Sequence, residues 1–141
     1  MIHMVKLCVG VSSIEELESY RDERAHWWDA DYGEDVHVHR TRMMPKRAAE
    51  MEGKASIYWV ISGVIGCRQP ILRLAPFTDE EGKTYCDIVM SPDLIRTVPY
   101  PKRPFQGWRY LRPQDAPPDL GAHDDAGSEA IAMELARLGL L

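Results

Sequence analysis

The chain has 141 residues, 45% of them hydrophobic and 28% charged, which fits one domain of ordinary size and excludes wholesale disorder. Its three cysteines, Cys8, Cys67 and Cys86, form no CxxC pair; that argues against a disulfide framework and suits a reducing cytoplasm. The formal net charge of -5 argues at first sight against an anionic partner, no run approaches the ~18 apolar residues of a membrane span, and no secretory leader pattern is visible.

Residues 2–11 read as a strand, rich in Val and other apolar residues. A helix is expected next. Ser13 is placed to cap it, Glu16 stands three residues later as in a capping box, and Glu15 and Glu16 suit the positive end of the helix dipole. Ile14, Leu17, Ala25 and Trp28 form its apolar stripe, and a loop at 31–33 ends it. Residues 36–42 alternate like a half-buried strand, with Val36 and Val38 on one face and a polar face carrying His37 and His39 opposite. Pro45 then opens a short helix over 46–51, closed by Gly53. Residues 56–66 are apolar on both sides, as in a covered central strand, with a bend or bulge at Gly63 and Gly66.

Residues 70–77 and 83–90 predict a hairpin turned by Asp79, Glu80, Glu81 and Gly82. Ser91 and Pro92 read as a helix start. Prolines at 99, 101 and 104 exclude regular helix there, and a short strand follows at 108–111. Residues 113–127 read as a Pro/Gly-rich wrap. Residues 128–138 read as a docking helix with Ile131, Leu135 and Leu138 on one stripe and Gly139 near its end. The expected fold class is α+β, a single domain over 1–141 with a mixed, curved or barrel-like sheet and peripheral helices.

Dividing the chain at these boundaries changes the charge argument. Residues 1–35 hold 3 Lys/Arg against 9 Asp/Glu, residues 36–112 hold 13 against 7, and residues 113–141 hold 1 against 6. The net charges are -6, +6 and -5, so the total conceals a basic β-rich core between two acidic flanks. Either the flanks neutralise the core, or one face stays basic and meets an anion.

The segment 99–112 interleaves Lys102, Arg103, Arg109 and Arg112 with Tyr100, Phe105, Trp108 and Tyr110. Guanidinium groups hold phosphate in a bidentate way and aromatic faces stack on bases, the combination a single-stranded nucleic-acid site uses. The opposing view is a Pro-rich loop whose aromatics plug the core. A second basic cluster, Arg40, Arg42, Lys46 and Arg47, lies at the expected helix start, where free N–H groups favour an anion. His37 and His39 have the spacing of a metal site, but no third or fourth ligand is signalled. No GxSxG, Walker loop, GxGxxG or HExxH sequence occurs, so no cofactor is indicated. Cys67, next to Arg68, is the thiol to test for reactivity.

The segments Val5-Lys6-Leu7-Cys8-Val9-Gly10, Arg42-Met43-Met44-Pro45-Lys46-Arg47, Tyr58-Trp59-Val60-Ile61-Ser62-Gly63-Val64-Ile65, Arg68-Gln69 and Pro104-Phe105-Gln106-Gly107-Trp108-Arg109-Tyr110-Leu111 follow one another in the chain. With them the chain resembles, over most of 4–120, an alphaproteobacterial family known only as domain-of-unknown-function family 1489. The resemblance implies a bacterial, cytoplasmic protein and supplies no activity. In element order the chain is also similar to PUA-like modules, including ASCH and EVE domains, which often bind RNA or modified bases. That likeness is architectural and names no site residue.

The leading expectation is therefore a module binding RNA, single-stranded DNA or a nucleotide, with no membrane partner. Arg42, Lys46, Arg47, Lys102, Arg103 and Arg109 would take phosphate, Tyr58, Phe105 and Trp108 would stack, and Gln106 would read a base edge or orient the ligand. One alternative is an enzyme acting on a small anionic or nucleotide substrate, with His37, His39 or Asp87 as acid or base. Another is a protein-interaction subunit that uses its acidic terminal helices.

Overall fold

The computed structural model describes residues 1–24 and 36–120. Strand β1 (His3–Leu7) leads into helix α1 (Ile14–Arg24). Then follow β2 (His37–Thr41), β3 (Ser56–Ile61), the fifteen-residue β4 (Val64–Thr78), β5 (Thr84–Met90), β6 (Ile95–Pro101) and β7 (Trp108–Leu111). These seven strands form one mixed, open sheet in the order β2-β5-β4-β3-β1-β7, with β6 paired to β4. The pairing of β1 with β3 is parallel and the other ladders are antiparallel. Among the described residues α1 is the one α-helix, and the fold they form is mostly β.

The strand β3, Ser-Ile-Tyr-Trp-Val-Ile, is buried at every position, as expected of β-branched and aromatic residues covered on both faces. Ile57, Trp59 and Ile61 join Met4, Cys67, Ile71, Ile88, Met90, Leu17 and Met51 in the main core. Tyr58 and Val60 join Val5, Ile65 and Leu111 on the opposite face. The long β4 changes partner along its length. Its first half lies between β3 and β6, and its second half pairs with β5. Register shifts at Ile71/Arg73 and Ile65/Cys67 mark irregularities along it; such bulges bend a strand and raise its twist.

The bend brings distant strands together. The His39 ring of β2 meets Trp59 of β3 edge-on at 5.4 Å, although β5 and β4 lie between them in the sheet. Gln69 on β4 links both strands: Trp59 Nε1 donates to its Oε1 at 3.0 Å, and its Nε2 donates to His37 Nδ1 at 3.0 Å and to the Ser91 carbonyl at 3.1 Å. The face of β2 that carries His37 and His39 thus points into the core, not to a polar exterior.

Several local expectations are corrected. The strand expected over 56–66 is two strands, because Ser62 (φ 51°) and Gly63 (φ 79°) make a tight reversal between β3 and β4. The helix expected over 46–51 is one 3-10 turn, Ala48–Glu50. The helix start at Ser91 does not form. Val98 and Tyr100 each precede a proline, which disfavours α geometry, and β6 runs extended along the edge of β4. In the cap of α1, Glu16 N–H donates to Ser13 Oγ, but the Glu16 carboxylate reaches back to Ser12 rather than Ser13.

The hairpin of β4 and β5 and the strand at 108–111 stand as expected. Residues 118–119 lie along β6 through Thr97–Asp119 pairing and a Val98 N–H to Pro118 carbonyl bond. The stripe residues Ala25 and Trp28, the loop at 31–33, the wrap beyond Leu120 and the helix at 128–138 lie outside the described residues. No helix among the described residues is long and apolar enough to cross a membrane.

Candidate nucleic-acid interface

The two basic segments singled out in the sequence meet at β7, the end strand of the sheet. Trp108 and Lys6 are cross-strand partners on β7 and β1, as are Tyr110 and Met4. Trp108 packs on the main core, and its indole N–H donates to the Met43 carbonyl at 2.9 Å. Tyr110 lies edge-on to Trp108 at 5.0 Å, and its hydroxyl accepts from the Arg47 N–H at 3.2 Å. The Arg47 guanidinium sits 5.7 Å from the Tyr110 ring centre and forms a two-bond pair with Glu50 at 2.6 Å. Segments 43–47 and 108–110 are therefore tied by specific bonds. The expected anion site on the N–H groups of a helix at 46–51 is not formed, because that helix is a single turn and the Arg47 N–H is already used by Tyr110.

The period-2 geometry of β7 divides the rest of the cluster. Arg109 points to the opposite face, where its guanidinium lies 5.2 Å from the Phe105 ring and donates to the Gln106 and Trp108 carbonyls. Lys102 Nζ is 6.0 Å from the same ring. Phe105 is half-buried against the smaller core of Val5, Tyr58 and Leu111. Arg103 and Gln106 are exposed. The site so built is a rim on both faces of β7, not one pocket.

Tyr58 departs from its expected role. It is 5% exposed, its ring is edge-on to His3, and burial raises its hydroxyl pKa above the ordinary tyrosine value. It has no face to offer a base. Its surroundings are a structural network: the Ser56 N–H donates to His3 Nδ1, Ser56 Oγ accepts from Arg68, and Arg68 forms a two-bond pair with Asp119 at 2.8 Å.

Arg42 stands at the other end of the 42–47 segment. It donates to the Thr84 carbonyl and lies 5.3 Å from the Tyr85 ring. Beside it Arg40 stacks 3.7 Å over Phe77, which is partly exposed. Phe77 and Tyr85 continue the alternation of cation and ring onto the hairpin, a feature missed in the sequence because its two aromatics come from separate strands.

The remaining sequence candidates separate. Asp87 is buried and held by Arg40 through bonds of 2.6 and 3.1 Å. It pairs across the sheet with Arg40, whereas His37 and His39 occupy the alternate positions facing the core, so the three do not converge. Cys67 is buried and its thiol is pushed up to about 12 by burial, which removes the thiolate a reactive cysteine needs. Arg68, its neighbour in sequence, extends to the other face of β4. A hollow of about 270 Å³ at the head of α1 is bordered by Ser12, Ser62 and Arg96, and its cation is paired with Glu15 at 2.7 Å.

Lys6 lies within the strand expected over 2–11. It is 9% exposed, and burial lowers its amine pKa below the ordinary lysine value. The signal was present in the alternation Met4, Lys6, Cys8, which sets a cation on an otherwise apolar strand face.

The chain matches no curated protein and no solved structure. It belongs to the family described as Protein of unknown function (DUF1489), whose family model matches residues 4–141.

Proposed function

We propose that this chain is a nucleic-acid-binding module, for RNA or a modified nucleotide, working through the rim around β7. One observation carries the reading. Arg42, Lys46, Lys102, Arg103 and Arg109 have no carboxylate partner among the described residues, whereas Arg40, Arg47, Arg68, Arg96 and Arg112 each have one. The first five cations fall in segments 42–47 and 102–109, which Trp108 and Tyr110 tie together, while Lys54 and Lys83, also without a carboxylate partner among the described residues, lie outside them. Cations that are not neutralised suit phosphate, and the partly exposed rings beside them suit a stacked base. The sheet that bends to join β2 with β3 supports a PUA-like reading of the fold, and the family resemblance supports a bacterial, cytoplasmic setting.

The test is fluorescence anisotropy with labelled single-stranded RNA and DNA across a salt series. Affinity should fall steeply as salt rises, and the slope should soften by about one phosphate contact in Arg103→Ala. Absence of binding at low salt would refute the proposal.

A further inference from the structure

We infer that the free edge of β7 reads an unpaired nucleobase through its main chain, the Trp108 carbonyl and the Tyr110 N–H and carbonyl meeting the Watson–Crick edge of the base. The inference rests on the nucleic-acid reading above. It deepens that reading by naming what the rim takes, a nucleotide whose base is not paired, and the groups that recognise it.

The direction of each main-chain group follows from the pairing of β1. Along a strand, the N–H and C=O of one residue point to one side and those of the next residue to the other. The Cys8 N–H donates to the Val60 carbonyl at 2.9 Å, so Cys8 and, by alternation, Lys6 and Met4 turn their main chain toward β3. His3 and Val5 then turn theirs toward β7, where their partners are Leu111 and Arg109. Arg109 and Leu111 therefore use their main-chain groups in the ladder, and the alternate residues, Trp108 and Tyr110, point theirs away from the sheet. No other strand pairs beyond β7. The Tyr110 N–H and carbonyl bond no described residue. The Trp108 carbonyl accepts one bond, from the Arg109 guanidinium at 3.1 Å, which leaves it a second lone pair. Tyr110 is 38% exposed.

The edge thus offers an acceptor, a donor and an acceptor in succession. The Watson–Crick edge of every base sets a donor beside an acceptor: an amino group beside a ring nitrogen in adenine and cytosine, an imino N–H beside a carbonyl in guanine and uracil. Any base can answer such a row, provided that no complementary strand already holds its edge. The recognition is therefore of an unpaired base rather than of a sequence. The phosphates that accompany the base meet Lys102, Arg103 and Arg109, which have no carboxylate partner among the described residues.

A protein strand fits this edge less well. Within β7 only Trp108 and Tyr110 point outward. Gly107, at φ 69°, breaks the extended chain on one side, and the 3-10 turn Pro113–Asp115 ends it on the other. A typical strand runs to about five or six residues. A second copy would also bring Arg109 and its neighbouring cations against their own equivalents, and like charges across strands are unfavourable.

Fluorescence anisotropy of the full chain compares labelled oligouridylate with an oligomer of equal length built from N3-methyluridine. The methyl group removes the imino donor and blocks the Watson–Crick edge, while the phosphates and the ring faces stay. The methylated oligomer should bind at least about tenfold more weakly. Equal binding would overturn the inference and leave the rim reading intact; failure to bind any oligonucleotide would remove both. Amide hydrogen exchange locates the contact. In the free chain the Tyr110 N–H should exchange faster than those of Arg109 and Leu111, and it should slow when oligouridylate is added. A Tyr110 N–H that stays unprotected in the bound chain would overturn the inference. So would protection in the free chain that grows with protein concentration, which assigns the edge to a second copy, or protection by a polyglutamate peptide and not by oligouridylate, which assigns it to an acidic protein strand. Tyr110→Pro removes this one N–H from outside the ladder, where an edge strand tolerates proline, and Tyr110→Val controls for the lost ring. The proline variant should bind oligouridylate at least about tenfold more weakly than the valine variant; equal affinities would overturn the inference.

Discussion

Replacing Gln69 by Leu asks whether the inner face of the bent sheet is held by a hydrogen-bonded chain or by apolar contact alone. Gln69 is fully buried. The indole of Trp59 can only donate, so it assigns Gln69 Oε1 as the acceptor and leaves Nε2 to donate toward His37 Nδ1. That assignment places the His37 ring proton on Nε2. Leu has nearly the volume of Gln, so the cost of the change lies in the partners rather than in a cavity. The indole N–H and His37 Nδ1 would lose a partner inside the core, and each orphaned group costs about 1–3 kcal/mol. The Ser91 carbonyl is only partly buried and can turn to water, so it adds little. The expected loss is about 2–6 kcal/mol, a large part of a total stability of roughly 5–15 kcal/mol. Urea unfolding should show the midpoint falling by about 1 M or more with an unchanged m value. A double-mutant cycle with Trp59→Phe should give a coupling of at least about 0.5 kcal/mol. A loss below about 1 kcal/mol would refute the reasoning, since the indole and imidazole would then be finding other partners.

Two further outcomes follow from burial. His3 is held below its ordinary value of 6.5 by desolvation first, then by the Arg68 charge and the N-terminal ammonium, so the folded chain binds this proton more weakly than the unfolded chain does. Its contribution is therefore full above pH 6.5 and is lost as pH falls through the lower folded-state value. Thermal melts should fall on that acid side in wild type, and His3→Gln, which keeps an acceptor for the Ser56 N–H and cannot take up the proton, should flatten the fall; parallel curves would count against it. The thiols of Cys67 and Cys86, both pushed up to about 12 by burial, should not react with a disulfide reagent in the native protein and should react in denaturant. Rapid native labelling of either would contradict their described burial.

Elements with strong local chemistry were legible in the sequence. The hairpin turn at 79–82 was marked by Gly82, which adopts φ 85°, and by Asp79, whose carboxylate accepts from the Glu81 and Lys83 N–H groups. The strand at 108–111 and the head of α1 were marked in the same way. Elements set by partners were not. Residues 95–101 contain two prolines and no strong alternation, and they become a strand because the edge of β4 is available and the residues before proline are already extended. The inward face of His37 and His39 was hidden for a similar reason. The polarity of His37 reads as exposure until Gln69, thirty-two residues away, supplies the hydrogen bond that makes its burial tolerable.

The charge pattern has the same logic. Counted along the chain, the acidic flanks offset a basic core, but pairing is decided in space. Glu15 of the first flank takes Arg96, and Asp119 of the last takes Arg68, at the side of the sheet where α1 and the wrap lie. Arg112 is taken by Asp115 and Arg47 by Glu50, both three residues away. These pairings do not reach Arg42, Lys46, Lys102, Arg103 or Arg109 among the described residues, and screening confines each carboxylate's influence to about 8 Å at physiological salt. A net charge of -5 is therefore compatible with a local positive field around β7.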